Sequence, residues 1–187
     1  MLWRRSPDRT QRAPEGIARR DSRSTDFAWR VHGAQEAWTA KVDTKAAIFF
    51  ALETAFLAAV IAAHSHDRLL GQLTGWRHVF ADTGIGFSMV SVFVAGAAVV
   101  PLLGRTCEHR QGYRDHLIYF GHLRHWESEA LADRLRRLTV EDELRQLGRQ
   151  LVEQSRRNWT KHRCLQLAMA LALLGGTAIV TSVVWPH

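Results

Sequence analysis

A chain of 187 residues has room for one domain. Its formal net charge of +7 and pI of about 10.4 come mostly from Arg and admit two partner classes, nucleic acid and an anionic membrane face. The positive charge flanks apolar runs and forms no separate basic domain, which favours the membrane over nucleic acid; two cysteines without a CxxC give no sign of a disulfide framework.

Residues 1–24 are rich in Arg, Ser and Pro and nearly devoid of large apolar side chains, so they are predicted to be disordered. Asp8, Glu15 and Asp21 argue against an organelle-targeting peptide, and no apolar run fits a cleaved signal peptide. A helix is predicted from about Thr25, with Phe27, Val31, Ala34, Trp38 and Val42 as its apolar stripe. Residues 46–63 follow, 18 residues with one charge, Glu53, near the lower limit for a membrane span. A polar loop over 64–82 contains His64, His66, Asp67, Gly75 and Asp82.

The uncharged stretch 83–103 is a second predicted span, with Gly84, Gly86 and Gly96 allowing close helix approach and Pro101 near its end. Residues 105–163 are charged again, and 115–129 and 129–138 read as one or two helices that Gly121 or Ser128 would interrupt. From Thr139 to Trp185 the pattern is one long helix. Thr139 and Asp142 suit a capping box, Leu144, Leu147 and Leu151 make an apolar face, and 164–185 hold no charge over 22 residues.

The predicted fold is therefore an all-α integral membrane protein with three transmembrane helices, 46–63, 83–103 and 164–185. Its helical cytosolic region comprises the N-terminal juxtamembrane helix, the 105–138 helices and the first part of the long C-terminal helix. A single domain is expected over 25–187. Residues 1–45 hold 10 Lys and Arg, the loop 64–82 holds 2, and 105–163 hold 13. The positive-inside rule then places the N-terminus and 105–163 in the cytoplasm and the loop outside.

Several short blocks carry a family likeness: Val42-Asp43-Thr44-Lys45-Ala46 at the start of the first span, Pro101 at the end of the second, Leu117-Ile118-Tyr119-Phe120-Gly121, Leu138-Thr139 with Glu143 and Gln150, and Lys161 before the last span. Through them the chain resembles, over roughly 30–185, the transmembrane effectors of Pycsar anti-phage systems, the PycTM type. His162 departs from the pattern, since members often carry an aromatic residue after the Lys. The resemblance implies a dormant multi-pass protein of the cell inner membrane. A uridylate or cytidylate cyclase partner senses phage and makes cyclic UMP or cyclic CMP; the ligand activates the effector, which impairs the membrane and aborts infection. It implies a homo-oligomer acting on the lipid bilayer, with no cofactor.

A cyclic mononucleotide carries one negative charge and a flat base, so its site needs a cation, an aromatic ring and polar groups. Arg114, His116, Tyr119, Arg124, Arg156 and Lys161 are the candidates, as against a solvated face and headgroup anchors. No β-roll of the soluble cyclic-nucleotide-binding type is evident, so a ligand would bind between helices. Asp43 and Lys45 read as a charged latch at the membrane boundary or as an interfacial anchor. Glu53 reads either as a pore or gating residue or as a protonated acid bonded to Thr54, Ser88 or Ser91. His122, His125 and Glu129 fall at helical spacing but lack a fourth ligand, so no metal site is predicted. No nucleophile–base pair, phosphate loop or carboxylate pair points to an enzyme. The main rival is a constitutive membrane scaffold or sensor subunit whose helices bind a protein; an intramembrane enzyme is weaker, with Glu53 alone.

Overall fold

The computed structural model describes residues 12–64, 72–100 and 112–185 together with Leu70 and Arg110, with side chains from Asp21 onward. Its helices are α1 (Arg12–Ala63), α2 (Trp76–Val99), α3 (Phe120–Leu123), α4 (Ser128–Arg136) and α5 (Val140–Val184), with a 3-10 turn at Tyr113–Asp115. There is no strand among the described residues. The chain divides into two compact units, one taking Met1–Ala37 and Leu103–Ser155, the other Trp38–Leu102 and Arg156–His187. Helices α1 and α5 contribute residues to both.

Three boundaries differ from the sequence reading. Helix α1 starts thirteen residues before Thr25, so 12–24, expected to be disordered, are helical. Arg, Ala and Glu favour a helix there, and Thr25 does not cap it: its hydroxyl donates back to Asp21 O at 3.0 Å, as a mid-helix Thr does. Helix α2 begins at Trp76 and ends at Val99, not at 83 and 103. The turn before it is made at Gly75, whose φ of 64° needs a residue without Cβ. Residues 115–129 form no continuous helix: after the 3-10 turn comes extended backbone, then the single turn of α3. Pro101 and Cys107 lie outside the described residues, as do 1–11.

The long helix α5 follows expectation. Asp142 N donates to Thr139 Oγ1 at 3.1 Å, the predicted cap, and Glu141, Asp142 and Glu143 fill the positive first turn.

In the first unit, α1 buries Thr25, Ala28 and His32 and α5 buries Leu147. The buried face of α1 here departs from the predicted stripe: Phe27 is 62 % exposed, whereas Val42 of that stripe, in the second unit, is buried. Hydrogen bonds set that face. Trp29 Nε1 donates to Glu143 Oε1 at 2.7 Å, and Gln35 Nε2 to Ser155 Oγ at 2.8 Å.

The second unit packs α1, α2 and α5 through small residues. Helix α2 buries Ala81, Gly84, Ser88, Ser91, Ala95 and Ala98, alternating steps of three and four. Ala46, Ala98 and Leu165 form one buried cluster; Val60, Leu70 and Ile179 form another. The large apolar side chains point out: Leu52, Phe56, Val79, Phe93, Leu173 and Val180 are all exposed. A water-soluble fold does the reverse. Three helices of this chain are long and apolar enough to cross a membrane, and their apolar windows are only 11 %, 28 % and 22 % buried. This is a membrane protein, with a girdle of large side chains for lipid and a seam of small ones for helix contact.

Candidate functional site

Among the described glycines, those in the tightest helix contact are Gly84 and Gly175. A methyl group on Gly84 would stand 2.6 Å from Ile179 Cγ1 and 2.7 Å from Gly175 O; one on Gly175 would stand 2.8 Å from both Gly84 O and Ser88 Oγ. Only glycine allows the backbones so near. Two turns on, Ser91 Oγ donates to Ala168 O at 2.8 Å, tying α2 to α5 inside the seam.

Glu53 of α1 points into this interior and is 8 % exposed. Of its three predicted partners, Thr54 donates to Phe50 O and Ser91 to Ala168 O, which leaves Ser88 beside the carboxyl. Neither Glu53 Oε1 nor Ser88 Oγ has a hydrogen-bond partner. A carboxyl at membrane depth costs about 2.5–3.5 kcal/mol on insertion scales, and here that cost is only partly offset.

At the other end of these helices, Lys161 Nζ of α5 contacts Asp43 Oδ1 of α1 at 2.6 Å. Thr39 Oγ1 donates to Asn158 Oδ1 at 2.8 Å one turn away, over buried Val42 and Ala46. Lys161 is 14 % exposed and Asp43 44 %. Asp43, expected to act together with Lys45, pairs instead with Lys161, and Lys45 is exposed. No feature of the Asp-x-Lys spacing identified the distant partner, because i and i+2 on a helix face different ways.

The remaining ligand candidates separate. Arg114, His116, Tyr119 and Arg124 belong to the first unit, Arg156 and Lys161 to the second. In the first, His116 stacks on His122 with ring centroids 4.2 Å apart, and Tyr119 meets the same ring edge-on. Tyr113 packs edge-on against Trp126, whose indole donates to Tyr113 O at 3.0 Å. Gln146 of α5 holds this segment, accepting from Leu117 N at 3.3 Å and donating to Asp115 O. Arg114 and Arg124 are exposed at its rim. The Tyr113 hydroxyl accepts from Arg114 Nε at 3.3 Å and raises the guanidinium pKa further, so the group stays cationic. Phe120, also at the rim, is 63 % exposed. The cluster offers cations, ring faces and polar edges together. Sequence reasoning missed the roles of Tyr113 and Gln146. His122, His125 and Glu129 do not share a helix face, because α3 ends at Leu123 and α4 begins at Ser128.

A hollow of the first unit, about 610 Å³, is lined by Arg23, Arg30, Phe27, Val31, Leu144 and Leu151. It includes none of the predicted ligand residues.

A family described as the Pycsar effector protein domain, PycTM, matches residues 27–186. Comparison with curated proteins and with solved structures finds no match.

Proposed function

Since this chain belongs to the Pycsar effector family, and so to anti-phage defence, we propose that it is a ligand-gated membrane effector: a cyclic pyrimidine mononucleotide, cyclic UMP or cyclic CMP, binds its Arg-rich helical unit and loosens its membrane unit. The ligand comes from a uridylate or cytidylate cyclase. The protein sits in the cell inner membrane with its N-terminus and the 105–163 region in the cytoplasm, where the nucleotide is made. Arg114 and Arg124 take the cyclic phosphate, and the Tyr119–Phe120 edge takes the base. Lys161 serves the latch with Asp43, and Arg156 is a headgroup anchor.

The observation that carries this reading is the packing of the membrane unit. It combines a glycine crossing, which has little side-chain area to lose, with a buried carboxyl whose Oε1 has no hydrogen-bond partner. Such a seam lies close in energy to one in which the helices part and Glu53 meets water. Self-association supplies the remaining surface: Phe27, Leu144 and Val152 are exposed on the first unit, and a homo-oligomer buries them. Growth then stops because the opened assembly impairs the bilayer.

Calorimetry in detergent with cyclic UMP and cyclic CMP, alongside dye release from liposomes holding the protein, tests the whole. Saturable binding with ligand-dependent release is expected. Binding without release, or release indifferent to ligand, would leave a scaffold or sensor subunit and end the effector mechanism.

A further inference from the structure

Where α1 ends and α2 begins, the membrane unit brings together three metal-ligating side chains. His64 follows the last residue of α1, while His78 and Asp82 stand one turn apart on α2. His64 Nε2 lies 3.4 Å from Asp82 Oδ1, and His78 Nδ1 lies 2.9 Å from Asp82 Oδ2. The two imidazole centroids are 5.4 Å apart, and one donor atom from each residue falls within 4.8 Å of the others. We infer that His64, His78 and Asp82 form a site for a divalent transition metal ion, with Zn²⁺ the best chemical match.

The distances fit. Zn²⁺ bonds of about 2.0–2.1 Å at tetrahedral angles hold neighbouring ligand atoms about 3.4 Å apart. One measured separation, 3.4 Å, equals that value and the other, 2.9 Å, is shorter, so side-chain rotations that open the second would admit the ion. Two imidazoles and one carboxylate match zinc, whereas calcium and magnesium prefer six or more oxygens. Three protein ligands leave the fourth position to water, and His78 and Asp82 are 43 % and 51 % exposed, which lets an ion in.

The frame is already built. His64 N donates to Val60 O at 3.0 Å, Leu70 N donates to Ala63 O at 3.0 Å, and Val60, Leu70 and Ile179 pack beneath. The backbone that carries His64 is thus fixed. The atoms that face one another are His64 Nε2, His78 Nδ1 and the Asp82 carboxylate oxygens, so an ion would bind among these; His64 Nδ1, on the far side of its ring, takes no part in the site. Nearby, Arg77 donates from Nε to Ser182 O at 2.7 Å and from Nη2 to Val183 O at 3.0 Å, at the end of α5. A bound ion would bridge the last turn of α1 and the first turns of α2.

The inference does not depend on the nucleotide reading. The full chain, purified without a polyhistidine tag and stripped with chelator, is titrated with Zn²⁺ in detergent and separately with Co²⁺. One saturable Zn²⁺ per chain is expected, with the intense visible Co²⁺ band of four-coordinate N/O ligation. His78→Gln and Asp82→Asn should each weaken binding about tenfold or more while keeping the far-UV circular dichroism of the parent. A His122→Ala/His125→Ala double variant should bind like the parent. The inference is overturned if Zn²⁺ does not saturate, if binding survives both site variants, or if it follows the His122 and His125 pair. A simple hydrogen-bonded clamp is then what these residues form.

Discussion

Asp43 and Lys161 show how much one partner means to the other. The ammonium is largely covered and the carboxylate only half so, which puts the pair between the exposed and buried regimes. Asp43→Asn leaves a covered charge alone and is expected to cost about 1 kcal/mol; the double variant Asp43→Asn/Lys161→Met should recover most of it. Thermal unfolding of the three proteins in one detergent measures the difference. Glu53→Gln keeps shape and removes the capacity for charge. It is expected to fold as the parent does and to change the ion selectivity of ligand-induced conductance, whereas unchanged selectivity and gating would remove Glu53 from the pore. Both residues were visible in the sequence as charges beside or inside an apolar run. Their partners were not. Lys161 lies 118 positions from Asp43, and nothing local distinguishes Ser88 from Ser91 as the neighbour of Glu53.

Among the elements, α2 is the most sharply tuned. Gly175→Ala on α5 would press a methyl group against Gly84 O and Ser88 Oγ, an overpacking expected to cost about 1–3 kcal/mol. Gly86→Ala has open space around it and should be neutral or stabilising, because Ala is the better helix former. Comparing their unfolding midpoints separates seam from lipid face. Thr139→Ala removes the cap of α5 and should cost about 1 kcal/mol, read by circular dichroism on heating. That cap, and the unbroken run of α5, were legible because they rest on neighbouring residues alone. The start of α2 was misplaced because polar Arg77, His78 and Asp82 outweighed the turn signal of Gly75. An interruption at Gly121 or Ser128 was expected, and α4 does begin at Ser128; the loss of helix after Asp115 was not, because Gln146 and Trp126 hold the backbone carbonyls of Asp115 and Tyr113, bonds that no helical pattern reports.

For the whole molecule, the decisive fact is that its large apolar side chains face outward on three long helices. Phe27→Glu with Leu144→Glu places charge on the exposed apolar face of the first unit. Such a variant is expected to abolish cross-linking between copies and dye release while leaving nucleotide affinity unchanged. Cross-linking, release and calorimetry on one preparation check it; release that persists without cross-linking would show that a single copy suffices.

The sequence by itself determined the class of this protein. Uninterrupted apolar length, the side on which Arg gathers and the short blocks from Val42 to Lys161 are properties of the chain alone, and the helices and the family follow from them. Tertiary structure decided which residues meet. It put Lys161 on Asp43, set Gly84 against Gly175, turned Phe27 outward and gathered His64, His78 and Asp82 at one corner. Those choices depend on how helices far apart in the chain are rotated against each other, and a rotation is fixed by packing that no local window contains.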